Sequence, residues 1–589
     1  MRVGPSEERG VDTSSVVQST WVQEALTRAE ALVANPLFAY GTIVVLQLRV
    51  IWNVWRYKDL TFGDSASYFT MAAGWAHHLR DNVLWSPLYT NFWGTILAAV
   101  GDVYVAAMVH RVAIVLAVAV LVLALLRAVL EPALALLLAA WWAVLPPNYD
   151  VLYEVHLFGL LPVLVAALVV RRSPSRAAIG AALAVLASAT LLLRNELVVA
   201  TAIFAAGIVI REVRARRVDR VSLSEYARAY GVPLAIVCLL FAGAYWRSHV
   251  QGDAARAALR EKHTLNVCQV YAFNYQQRHP TRFVGNPFID CGPLMEETFG
   301  RPMPSFLQAT RANPLAMAEY VAWNARLLPT GIQVSLFDAT VTGDNPDYIP
   351  VKNRRLYPLL LSLVLLLLLA AGAVVLLQER EHWRRRLEPA TWVFLILGAV
   401  AVTTLVVALS QRPRPEYMYG LVVAVLMLTG ICASALLRRW GGHRLVSAAA
   451  VGIVFVLALA LSSHYRAGPR PLHDAVERLE VVREPLQQPG SVLITAGDGQ
   501  GMCSYLADDI DAQCSAPYLA TLKSRVEQGR SLDDVLAEAG ASAMYVEAGL
   551  RADPAFAPLL ASPRSFGWRP VAEGSAGDGR WRVLVPASE

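Results

Sequence analysis

The chain has 589 residues, of which 56% are hydrophobic and only 17% charged, and its mean hydropathy is +0.43. Apolar runs of about 20 residues with almost no charge recur along it, which excludes a soluble multidomain protein and defines a polytopic membrane protein. The net charge of +6 is carried by short basic clusters between those runs, so it marks membrane topology and excludes a nucleic-acid-binding face.

Residues 1–37 are mostly polar, carry both charge signs and lack an apolar core followed by small residues, so no cleavable signal is expected and this segment stays cytoplasmic. Val17, Trp21, Leu26, Leu32 and Val33 recur at roughly helical spacing, which predicts an amphipathic helix on the membrane surface or against a cytoplasmic loop. Apolar helices are then expected near 38–56, 103–127, 131–146, 154–170, 177–193, 197–210, 231–247, 356–377, 391–410, 416–437 and 445–463, about eleven spans in all.

Arginine clusters test that order, because short cytoplasmic loops are enriched in Lys and Arg. Arg171, Arg172 and Arg176 follow the fourth run, and Arg211, Arg214, Arg216 and Arg217 follow the sixth. Arg380, Arg384, Arg385 and Arg386 follow the eighth, and Arg438, Arg439 and Arg444 the tenth. Every cluster falls after an even run, so the N-terminus lies inside. Within the membrane domain 38–463, the loops 57–102 and 248–355 then lie outside, as does a separate domain at 464–589. Cysteine usage agrees. Cys238 and Cys432 sit in apolar runs as small buried residues, while Cys268 with Cys291, and Cys503 with Cys514, are close-spaced pairs in exported segments where disulfides persist.

The tail 464–589 has an α/β pattern, with strands at 491–496, 543–548 and 580–587 and a helix at 530–540. GDGQG at 497–501 follows the first strand, but it lacks the glycine spacing of a dinucleotide fingerprint and is an ordinary strand-to-helix turn. Sugar recognition, partner docking or a structural role is expected of this domain instead.

Charged residues at the rim of a membrane are expensive and so mark candidate sites. In TFGDSASYF, residues 61–69, Asp64 follows the first apolar run, with Asp59 just before it and Tyr68 one helical turn beyond. His110 and Arg111 lie in the outer third of the second run, Glu154 and His156 open the fourth in YEVHLFG, and Arg194 and Glu196 form the turn RNE. Arg412, Arg414 and Tyr417 stand in QRPRPEYMYG, and Lys352, Arg354 and Arg355 precede the eighth run. On the derived topology all share the side of Asp64. A carboxylate facing cations across an interface suits transfer of a sugar from a lipid phosphate. The base takes the acceptor's proton, and the cations hold the departing phosphate.

These motifs, with WSPLY at 85–89, resemble the GT-C superfamily of membrane glycosyltransferases, which includes protein O-mannosyltransferases, aminoarabinose transferase and arabinofuranosyltransferases. The resemblance runs in order over about residues 38–440. It implies a GT-C-like helical fold, an inverting transfer from a polyprenyl-phosphate sugar to a glycan, lipid or protein acceptor, and a place in the cytoplasmic membrane with N-terminus inside. It further implies Asp64 as base and Arg194, Arg412 and Arg414 as phosphate contacts, while the rim positions of Asp59, Tyr68, Arg111, Glu154, His156, Glu196 and Tyr417 make these the candidate substrate-binding residues. Several members carry an acidic pair in the first outer loop, whereas Ser65 and Ala66 follow Asp64 here, so a divalent metal ion stays open. The Trp-Trp-Asp signature of oligosaccharyltransferases is missing, since WWAV at 141–144 has no aspartate.

Two other readings use the same features. A transporter or flippase also hides polar groups among apolar helices, and a noncatalytic scaffold would dock partners through its exported tail. Asp64 as a plain helix cap and Arg194 with Glu196 as a rim ion pair are the corresponding structural roles.

Overall fold

A computed structural model of the chain describes residues 13–54, 64–149, 154–215, 222–248, 251–288, 290–347, 354–463, 480–488, 490–496, 499–506, 514–517, 519–576 and 579–587. Asp59, Lys352 and the side chain of Glu154 lie outside what it describes.

Helices α1 (Thr13–Ala34) and α2 (Pro36–Val50) meet at a 75° bend. Asn35 makes that bend by accepting from the Leu37 amide at 2.9 Å, with Pro36 fixing the first turn of α2. Next come α3 (Asp64–His78) and α4 (Pro87–Val100), which pack closely because Gly94 has no Cβ; one there would stand 2.4 Å from the Ala72 carbonyl oxygen. The first bundle continues through α5 (Val103–Val129), α6 (Pro132–Ala143), α7 (Glu154–Phe158), α8 (Leu160–Arg172), α9 (Arg176–Leu192), α10 (Val198–Ala215), α11 (Leu223–Tyr226) and α12 (Val232–Arg247). A helical subdomain follows, made of α13 (Gly252–Arg278), α14 (Cys291–Phe299), α15 (Phe306–Ala312) and α16 (Pro314–Phe337). The chain then returns to the bundle with α17 (Tyr357–Gln378), α18 (Arg380–Leu387), α19 (Thr391–Ser410), α20 (Tyr419–Trp440) and α21 (His443–Ala460).

A helix stands at each of the predicted runs, but the runs differ in what they can do. Among the described residues, seven segments are long and apolar enough to cross a membrane, and eight if the bent pair of α1 and α2 is one span. The other three are α6, α9 and α10. Helix α6 has 12 residues, about 18 Å at the helical rise, and stops because Pro146 and Pro147 cannot continue it. Helix α10 ends in Arg211, Glu212 and Arg214, which cut its apolar length. Large apolar side chains stay exposed along α12 and α17, among them Leu239, Leu360 and Leu367, which only lipid accommodates. Cys238 belongs to that exposed face and is not buried as its apolar run implied; Cys432 is buried.

The subdomain α13–α16 has its own core around Tyr271, Phe299 and Tyr320, closed by a Cys268–Cys291 disulfide with a Cα separation of 5.5 Å. In the tail, β1 (Val492–Ile494), β2 (Ala541–Val546), β3 (Trp568–Ala576) and β4 (Gly579–Pro586) form one sheet in the order β1-β2-β4-β3. Strands β1 and β2 are parallel, with the helix Leu532–Glu538 in the crossover, and the remaining pairs are antiparallel. β3 is the strand the pattern did not predict. WRPVAEGSA carries Pro, Gly and Ser, and it forms the sheet edge, where Pro570 sits at a register shift. Of the glycines after β1, Gly499 has a packing reason: a Cβ there would stand 2.5 Å from that of Ala516. Cys503 and Cys514 are joined, with a Cα separation of 5.2 Å.

Candidate active site

Where α3 begins, a cavity of about 160 Å³ opens, and Asp64 is exposed to it. Tyr68, His156, Arg194, Glu196 and Tyr417, drawn from separate motifs, line it too. Tyr68 meets Trp85 and Tyr89 of WSPLY edge-on, at centroid distances of 5.2 and 5.1 Å. In that motif Ser86 adopts φ 54°, ψ 68°, a left-handed conformation that costs a non-glycine residue of order 1 kcal/mol. It is held there by its hydroxyl, which donates to the Leu193 carbonyl at 2.7 Å and ties α4 to the end of α9. Protein packed around Asp64 desolvates its carboxyl and raises its pKa, while Lys262, Arg414 and Arg194 pull it back down.

Arg194 caps the other wall. Its guanidinium donates to Glu196 and, at 3.1 Å, to His156 Nε2. Arginine cannot accept, so Nε2 must, which places a neutral His156 proton on Nδ1. The ring of Tyr417 lies 5.9 Å from Arg194 Cζ and 4.9 Å from the His156 ring. Gly159, at the break between α7 and α8, leaves room for this side chain; a Cβ there would stand 3.2 Å from Arg194 Cγ. His156, Arg194, Glu196 and Tyr417 also line a second, smaller crevice between α8, α19 and α20, walled by Leu160, Val163, Val400 and Val407.

The turn between α19 and α20 is built by the helical subdomain. Asn324 of α16 donates to the Leu409 and Gln411 carbonyls at 3.0 Å each, and the Tyr320 hydroxyl lies 2.9 and 2.7 Å from those of Ser410 and Gln411. These side chains satisfy carbonyls left open at the end of α19. Arg412 is fully buried, with Nε donating to the Pro346 carbonyl at 2.9 Å and Nη2 to that of Asn345 at 2.7 Å. Arg414, also buried, pairs with Asp347 at 3.1 Å and Glu416 at 2.5 Å. Burial pushes the Glu416 carboxyl up to about 7 against the pull of Arg414. Neither arginine lines the cavity at Asp64. Arg412 binds the loop before α17 to the turn, and Arg414 is already matched by two carboxylates. Arg412→Ala is therefore expected to cost stability, roughly 3 kcal/mol from two lost charge-assisted hydrogen bonds. Thermal unfolding in detergent checks this, and a wild-type melting curve would count against a structural Arg412.

The sequence pattern did not point to a further wall of the cavity. Leu259, Lys262, His263 and Asn266 of α13, spaced i, i+3, i+4 and i+7, line the cavity as one helical stripe. Lys262 donates to the Leu84 carbonyl at 2.9 Å and lies 3.4 Å from the centroid of Trp85. Desolvation lowers its pKa to about 8, with Asp64 opposing that shift. The i, i+3, i+4, i+7 spacing is visible in the sequence, but nothing there says which site the stripe faces.

Arg111 is buried within α5, and His110 beside it stacks on Trp93 at 4.6 Å; neither lines the cavity. Arg354 donates to the Val341 carbonyl at 3.2 Å, away from that lining. Among the described residues, no group of three or more His, Cys, Asp or Glu side chains is placed to hold a metal ion. The site as described is one free carboxylate, Asp64, among cations, with Glu196 already tied to Arg194.

Fold and site thus define a multi-pass helical membrane protein with a charged cavity at the ends of its helices. No protein-family model and no curated protein matches the chain. Among solved structures it is similar to the Archaeoglobus fulgidus oligosaccharyltransferase in the apo form, at 15% identity and a TM-score of 0.46, over 90% of this chain and 69% of that one. It is similar also to that enzyme's complex with Zn and sulfate, at 13% identity and a TM-score of 0.42, over 86% and 67%.

Proposed function

We propose that the protein is a GT-C-type membrane glycosyltransferase that moves a sugar from a polyprenyl-phosphate donor to a glycan, lipid or protein acceptor outside the cytoplasmic membrane. The observation that carries this reading is one cavity holding Asp64, Arg194 and Lys262, with Arg194 and Tyr417 also lining a crevice among α8, α19 and α20. In the proposed step the acceptor oxygen attacks C1 of the sugar while its proton passes to Asp64. The bond from C1 to the phosphate oxygen breaks, that oxygen keeps the electron pair, and Arg194 and Lys262 stabilise its charge. A single attack from the opposite face inverts C1. Tyr68, His156, Glu196 and Tyr417 shape the sugar and phosphate subsites, while Arg412 and Arg414 hold the turn that bears Tyr417.

A transporter would gather its charged groups near the midplane on broken helices. Here Arg194 lies just past the end of α9, Tyr417 just before α20, and Lys262 on α13 outside the bundle. The test is a panel of polyprenyl-phosphate sugars offered to the purified protein with a membrane-lipid and glycan extract. Release of polyprenyl phosphate with labelled sugar on a new acceptor is expected; intact donor crossing a vesicle bilayer would replace the transferase reading with transport.

The proposed orientation makes its own prediction. Cys503 and Cys514 should resist thiol reagents until reduced, and a tag after Glu589 should be reached in cells stripped of any outer envelope. A tag reached only after permeabilisation would put the tail inside and remove the lipid-phosphate substrate class with it.

A further inference from the structure

The turn between α19 and α20 brings two residues to the cavity at Asp64, Gln411 at its start and Tyr417 near its end. Tyr417 lies against Arg194, while Gln411 has no part in the step above. The backbone of Gln411 is fully committed. Its N–H donates to the Val407 carbonyl at 2.8 Å, and its carbonyl accepts from Asn324 Nδ2 at 3.0 Å and from the Tyr320 hydroxyl at 2.7 Å. Gln411 is half-buried, so its side chain is what remains to line the cavity, and among the described residues its carboxamide makes no hydrogen bond. A backbone locked by side chains of another subdomain, with the polar end left free, is the arrangement that pre-organises a contact for a ligand.

The hold on Gln411 is set further back. Arg278 of α13, paired with Glu319 at 3.1 Å, donates through Nε to Asn274 Oδ1 at 2.8 Å. Arginine can only donate, so Asn274 must meet it with oxygen and turn its Nδ2 to Asn324 Oδ1, 3.0 Å away. That leaves Asn324 Nδ2 for the Leu409 and Gln411 carbonyls. Asn274 and Asn324 are fully buried, so an amide turned the other way would set donor against donor with no water to relieve it. The chain of bonds therefore has one direction, and it ends at the residue that offers a free carboxamide to the cavity.

A carboxamide donates and accepts at once, which matches neighbouring hydroxyls on a sugar ring; a phosphate ester only accepts, and a lipid chain does neither. In the proposed transfer the donor's sugar lies between the phosphate at Arg194 and the base at Asp64, both in the cavity that Gln411 lines. We infer that Gln411 recognises hydroxyl groups of the donor's sugar and that Asn324 is the positioning residue that sets it, an inference that rests on the transferase reading of the same cavity.

The test is titration of polyprenyl-phosphate hexoses and pentoses, and of sugar-free polyprenyl phosphate, into the full-length protein in detergent. Wild-type protein should bind at least one sugar-bearing lipid more tightly than polyprenyl phosphate. Gln411→Ala should lose about tenfold or more for that lipid and stay within about twofold for polyprenyl phosphate, whereas Arg194→Ala should weaken both. One deoxy analogue of the preferred donor should bind wild type about as weakly as the parent donor binds Gln411→Ala, and Gln411→Ala should not tell that analogue from the parent. Asn324→Ala should weaken the same lipid, and combining it with Gln411→Ala should cost no more than the worse single change, because one acts through the other. Unchanged donor affinity in Gln411→Ala, equal loss of both lipids, or additive losses in the double variant overturns the inference and leaves the transferase reading standing. A Gln411→Ala enzyme that binds donor normally but has a raised KM for the acceptor overturns it too, and moves the residue to the acceptor side. Wild-type protein that binds no sugar-bearing lipid overturns the transferase reading, and this inference with it.

Discussion

Asp64→Asn is expected to abolish transfer, lowering turnover by about 10²-fold or more, while expression, melting and donor binding stay close to wild type. The amide keeps the size of the carboxylate and can still sit at the first turn of α3, so a helix-capping role would largely survive the change. What it removes is the ability to take a proton. The pH dependence separates the roles further. Desolvation raises the Asp64 pKa, and the base form exists only above that value, so turnover should climb on an acidic limb displaced above the ordinary carboxylate range. Asp64→Glu should retain a limb of this kind at reduced rate, whereas Asp64→Asn should have none. Turnover within a few-fold of wild type in Asp64→Asn would remove the carboxylate from the chemistry and leave it a cap.

Much of this was legible in the sequence, and what was not has physical causes. Hydropathy locates a helix because a bilayer demands an unbroken apolar length. It says less about whether that helix crosses, as α6 shows: twelve apolar residues and a Pro-Pro stop read as part of a span but reach only partway. The edge strand β3 escaped because its identity lies in pairing with β4, while its own residues read as turn. Within the site, Asp64, Tyr68, His156, Arg194, Glu196 and Tyr417 stand out as rim polar groups beside apolar runs, and they do meet in one cavity. Arg412 and Arg414 stand out by the same rule yet are spent on Asn345, Pro346, Asp347 and Glu416, partners from a loop and a turn that sequence order does not bring together. Lys262 was silent for the converse reason. It lies in a polar helix far from any apolar run, and only the packing of α13 over the WSPLY turn carries it to Asp64.

That exchange of roles sets the expected result for the cations. Arg194→Ala and Lys262→Met should each weaken donor binding or turnover by at least about tenfold, because removing the partner of a partly desolvated phosphate costs roughly 2–5 kcal/mol. Arg384→Ala, on an exposed helix at the other end of the bundle, should change neither. Lysine at 194 should rescue only in part, since it keeps the charge but loses the fork that reaches His156 and Glu196 together. Lys262 adds a signature that a structural role would not produce. Its pKa is lowered to about 8, so it carries charge below that pH and loses it as pH rises through it. Donor affinity should therefore fall on an alkaline limb near pH 8, the mirror of the acidic limb from Asp64. Lys262→Arg stays charged throughout and should carry high affinity to higher pH. A Lys262→Met enzyme with wild-type donor affinity, or a Lys262→Arg enzyme with an unmoved alkaline limb, would take Lys262 out of the phosphate site and leave Arg194 to hold it alone.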